Sequence, residues 1–196
     1  MAEILSALHG HISAGRHGAA VSRPGVTLSE LPGRIIVQLT AWPDTFLNSA
    51  AKAAGIAGAA VPLSMRMGVS GETTILQVGP ERLWFVVPGA SDLLSRLSAN
   101  FATEEAVITD IGHARTVIRI TGPAARDLLA RLVPIDTHPG ELPQGSVAQT
   151  LMHGVGVLLH VSAEGVYDLY IPRSFALSHW EWLQHVAEPF GVEILA

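Results

Sequence analysis

Apolar residues along this chain recur with two different periods, and the switches between them mark off short strands and helices. Arg34–Leu39, RIIVQL, is β-branched and reads as a strand. Leu47, Ala50, Ala51 and Ala54 then recur at helical spacing, with Asp44 as the expected N-cap and Gly55 as the stop. Residues 56–70 are punctuated by Gly and Pro and carry no assignable period. Thr73–Val78 and Leu83–Val87 read as strands joined by a hairpin turn at Gly79-Pro80-Glu81-Arg82. Ser91 is placed to cap a helix with Leu94, Leu97 and Phe101 on one face, and Ala106–Asp110 returns as a strand.

The second half repeats this order in outline. Thr116–Ile120 reads as a strand, Pro123 sits where a helix begins, and Ala125, Leu128, Leu129 and Leu132 line that helix. A Pro- and Gly-rich loop, Val133–Gly145, leads into strands at Ser146–Met152, Val155–Val161 and Val166–Ile171. In the middle strand Val155, Val157, Leu159 and Val161 share one face, and Gly156, Leu158, His160 and Ser162 the other. Ser174 is expected to cap a last helix carrying Ala176, Trp180, Leu183 and Ala187, and Gly191–Leu195 closes as a strand. The fold class expected is α+β, two ferredoxin-like β-α-β-β-α-β units in series. The expected division is an N-terminal arm at residues 1–24, a first unit at 25–110 and a second at 111–196, together one compact chain. The arm opens with a possible short helix at Met1–Leu8, and Gly10–Ala20 has no apolar period, which suits a segment lying on something else or left mobile.

Composition narrows the functions available. The 196 residues are 48% apolar and carry a formal net charge of −5. That apolar share exceeds what a lone domain needs and points to partner contact as readily as to an Ala- and Gly-rich style. No Lys/Arg stripe exists, so the footprint of nucleic-acid binding is missing. The absence of Cys excludes disulfides, thiolate zinc sites and cysteine nucleophiles at once. Apolar runs are too short to cross a bilayer and the N-terminus lacks a basic start, so the expectation is a cytoplasmic protein with no membrane contact.

Candidate chemistry is thin. His9, His11 and His17 cluster in the arm without a carboxylate at ligand spacing, and His179 and His185 lie on different faces of one helix. Gly154-x-Gly156 precedes a strand, where a nucleotide site needs a helix N-terminus, so it reads as a hairpin turn. Gly68-Val-Ser70-Gly71 has Glu72 where a nucleophile elbow needs Gly. Asp110, His113 and Arg115 lie at the junction between the units, as seam contacts or as ligand groups. Asp136 and His138 suit turn geometry in the long loop. Trp42, Trp84, Trp180 and Trp182 read as core and rim residues, and Trp180 and Trp182 cannot share a helix face, so one lies outward or against another chain. No catalytic, cofactor-binding or metal-binding residue is assigned.

Three segments carry a resemblance: ILQVGPERLWFVVP at Ile75–Pro88, TDIGHARTVIRITGPAARDLLARL at Thr109–Leu132, and AQTLMHGVGVLLHVSAEGVYDLYIPRSFALSHWEWL at Ala148–Leu183. In these the chain resembles the gamma-subunit family of heterotetrameric sarcosine oxidase. That family is similar in turn to the aminomethyltransferase fold of the glycine cleavage system, whose Asp-x-x-His…Gly-Pro-x-Ala pattern the segment Asp110–Leu128 resembles. The aminomethyltransferase resemblance implies a folate pocket with an essential Asp, and the matching strand Gly154–His160 offers Val157, Leu158 and Leu159 instead. The gamma-subunit resemblance implies a non-catalytic structural subunit of a complex that oxidatively demethylates sarcosine to glycine. It implies alpha, beta and delta subunits as partners, and leaves FAD, FMN, NAD, tetrahydrofolate and zinc to them. The alternatives are a folate-binding one-carbon (aminomethyl) transferase acting alone, for which Asp110, His160, Glu164 and Asp168 are the available acids and bases, and a small-molecule binding domain without catalysis.

Overall fold

The computed structural model describes residues 5–62, 67–70 and 73–196, with backbone alone at 67–70. The chain divides into two units: Gly33–His113, and the residues up to Pro32 together with Ala114–Ala196.

The Gly33–His113 unit is built on β3 (Arg34–Ala41), α1 (Phe46–Ala57), β4 (Met67–Ser70), β5 (Thr73–Gly79), β6 (Arg82–Pro88), α2 (Leu93–Asn100) and β7 (Ala106–Asp110). Its sheet has the order β4-β5-β6-β3-β7, antiparallel throughout. Val37, Leu39, Ile75, Leu83 and Phe85 form the inner face, and the small Ala50, Ala53 and Ala54 let α1 lie close on it while Leu93 and Leu97 bring α2 down beside it.

The other unit begins with β1 (Gly15–His17) and β2 (Val26–Glu30), and continues with β8 (Arg115–Thr121), α3 (Ala125–Leu132), β9 (Val147–Met152), β10 (Val155–Ala163), β11 (Val166–Pro172), α4 (Ala176–Ala187) and β12 (Val192–Leu195). Its sheet runs β1-β12-β2-β8-β11-β10-β9. From β8 onward it repeats the element order of the first unit, β-α-β-β-β-α-β, and the same neighbour relations except in one place: β2 stands between β8 and β12, antiparallel to the first and parallel to the second. The close approach of β2 requires glycine. Gly122, at φ +111°, has Gly25 O only 2.5 Å from where a Cβ would stand. The core gathers Val26, Leu28, Ile118, Ile120, Val157, Leu159, Leu169 and Ile171 from the strands under Leu128, Leu129, Trp180 and Leu183 from α3 and α4.

Several expectations are revised by these elements. Residues 25–32 were grouped with the first unit, yet β2 hydrogen-bonds in the second sheet. The arm is partly built in: Leu8 is fully buried in that unit's core and β1 pairs with β12. Of the short helix expected at Met1–Leu8, residues 1–4 lie outside the described residues, residues 5–6 are irregular, and residues 7–8 open a turn that runs to residue 11. Asp44 does not cap α1: Thr45 occupies the N-cap, and the helix passes through Gly55 to end at Gly58, whose left-handed φ of +69° closes it. Ser91 accepts the Leu93 N–H but stands one residue before the N-cap Asp92. Ser174 lies in a 3-10 turn, and Phe175 takes the N-cap of α4. The strands β1, β2 and β4 add to the expected set: β1 and β4 are short and contain Gly, and β2, though it alternates, carries no local sign of the strands it pairs with.

Candidate functional site

The strand β10 carries Val157 and Leu159 in the core and Leu158 and His160 buried on the sheet's other face. Three of its side chains are therefore aliphatic and the fourth is an imidazole. The buried carboxylate of this region lies one strand away. Asp168 of β11 stands opposite His160 of β10 on one side and Arg119 of β8 on the other. Arg119 grips it with two parallel bonds, Nε to Oδ1 at 2.7 Å and Nη2 to Oδ2 at 2.8 Å. His160, Asp168 and Arg119 thus form a row across three strands on the face opposite α3 and α4, continued at β2 by Ser29.

The electrostatics of that row oppose acid–base work. Burial pushes the His160 imidazole down to about 4, against the pull of the Asp168 charge and with the help of the Arg119 charge. His160 is therefore neutral at physiological pH. The hydrogen bond to Asp168 holds the Arg119 guanidinium above its usual range, with burial opposing. Both Asp168 oxygens are engaged by the fork, and Asp168 is almost fully buried. Burial lowers the nearby Arg115, whose strand position pairs with Pro172. Arg119 escaped the sequence reading. The available signal was a cation, Arg119, set between apolar residues in the strand RTVIRIT and a lone anion in VYDLYI, each at an interior position that demands a partner.

The other candidates are dispersed. Asp110 ends β7 and accepts the Gly112 N–H at 2.9 Å, and His113 is exposed in the following 3-10 turn. Glu164 is exposed in the turn between β10 and β11. Asp136 accepts the His138 N–H at 2.8 Å and His138 Nδ1 accepts the Gly140 N–H at 3.1 Å, so both serve the loop's turns. His9 and His11 are exposed, and His17 Nε2 lies 2.8 Å from Ser13 O. Among the described residues no group of three or more His, Asp or Glu is arranged to hold a metal ion. His179 is buried, with Nδ1 3.0 Å from Phe175 O and Nε2 3.0 Å from Met152 O, which ties α4 to the end of β9. His185 is on the surface near Glu188. Trp180 is core, Trp182 stacks on His153 with ring centroids 4.6 Å apart, Trp84 is buried and donates to Gln38 at 2.9 Å, and Trp42 is exposed. His153 adopts φ +48° in the two-residue turn with Gly154, the hairpin expected there. Residues 71–72, which complete the rejected elbow pattern, lie outside the described residues.

This architecture is that of the aminomethyltransferase-like α+β class. The chain aligns with the glycine cleavage system aminomethyltransferase T from Bartonella henselae at a TM-score of 0.63 and 15% identity, covering 96% of this chain and 57% of that one. The chain belongs to the sarcosine oxidase, gamma subunit family, whose model matches residues 42–188. It is 26% identical over 187 residues to the sarcosine oxidase subunit gamma of Corynebacterium sp. (strain U-96), covering 95% of this chain and 91% of that protein. Its fold is similar to a chain of the heterotetrameric sarcosine oxidase from Corynebacterium sp. U-96 in complex with pyrrole 2-carboxylate, with a TM-score of 0.79 and 24% identity over 89% of this chain and 88% of that one. Among the described residues no helix is long and apolar enough to cross a membrane.

Proposed function

We propose that this chain is the non-catalytic gamma subunit of a heterotetrameric sarcosine oxidase that oxidatively demethylates sarcosine to glycine in the cytoplasm. The family match over residues 42–188 is the observation that carries the reading. The buried row agrees with it: where a folate pocket needs a free carboxylate, Val157, Leu158 and Leu159 offer none, and Asp168 is consumed by Arg119. The alpha, beta and delta subunits are then its partners, and FAD, FMN, NAD, tetrahydrofolate and zinc belong to them rather than to this chain. We read both units as ferredoxin-like with an added edge strand, since β5-β6-β3-β7 and β10-β11-β8-β12 follow one plan once β2 is set aside.

The test is co-expression with the flavin-bearing subunits, followed by affinity capture on this chain. Flavin absorbance is expected to elute with it in constant ratio. Failure of capture, or turnover of a one-carbon donor by the purified chain alone, refutes the reading.

A further inference from the structure

We draw no further inference here: the strongest candidate, the strip of rings that Phe175, His179, His153 and Trp182 form along α4 and the β9–β10 turn, carries nothing because nothing in the structure shows what covers it.

Discussion

Removing Arg119 should harm this chain more than neutralising its partner, and the reason is an asymmetry in exposure. The Arg119 side chain is 35% exposed, while that of Asp168 is 5% exposed. In Arg119→Met the carboxylate loses both bonds and stays in the interior without a counter-charge, a situation that costs about 3–5 kcal/mol. In Asp168→Asn the guanidinium keeps its aliphatic stem in place and turns its head toward water, and the amide oxygen retains one acceptor. That should cost less, about 1.5–3 kcal/mol, the range of a lost hydrogen bond to a charged group. In Arg119→Met/Asp168→Leu neither charge is present, and the variant should lie within about 1 kcal/mol of wild type, because an apolar pair of similar volume removes the desolvation penalty with the attraction. Urea unfolding of the four proteins at neutral pH, followed by tryptophan fluorescence and by circular dichroism, measures all three differences. If Asp168→Asn is the more damaging single change, or if the double variant is less stable than either single one, the account of Asp168 as a carboxylate stabilised only by its fork is wrong.

Three further outcomes follow from the same geometry. His160 has a folded pKa depressed from 6.5 to about 4, so its contribution is present above pH 6.5 and is lost as pH falls toward 4. The wild type should give up about 3 kcal/mol across that window, and His160→Gln should flatten the loss in denaturation series at different pH. Gly122→Ala forces a Cβ to within 2.5 Å of Gly25 O at φ +111°, and should cost about 2 kcal/mol or more in the same assay. Leu159→Ala, at a fully buried position under α4, should cost about 2–5 kcal/mol, whereas Leu47→Ala should change the isolated chain's stability by less than about 0.5 kcal/mol.

The regular elements were legible where a periodic pattern ran for a full strand or helix. The strands β3, β5, β6 and β8–β11 and the buried faces of α3 and α4 follow alternation or 3.6-residue spacing closely enough to be read, while α2 buries Leu93 and Leu97 rather than the expected Leu94, Leu97 and Phe101. What escaped reading is what long-range pairing decides. Val26–Glu30 alternates as a strand should, but nothing local says that it pairs with Thr121 and Val192 rather than with the residues that follow it. The helix caps were misplaced for a related reason. Thr45 owes its position to a hydrogen bond with Glu105, 60 residues away, and a good local capping residue such as Asp44 loses to that tertiary contact. The site was half visible. His160 and Asp168 were among the acids and bases considered, while Arg119, which decides what Asp168 can do, shows only as a charge out of place in an apolar strand.

The distribution of polarity in this chain runs against the usual economy of a free enzyme. An interior ion pair and a neutral imidazole contribute little net stability, because desolvation consumes most of what their attraction supplies. The exterior holds the opposite anomaly. Trp42 and Leu47 sit in water on a fixed backbone, each forgoing about 1.5–3 kcal/mol that burial would return. Covering these two side chains would therefore return several kcal/mol.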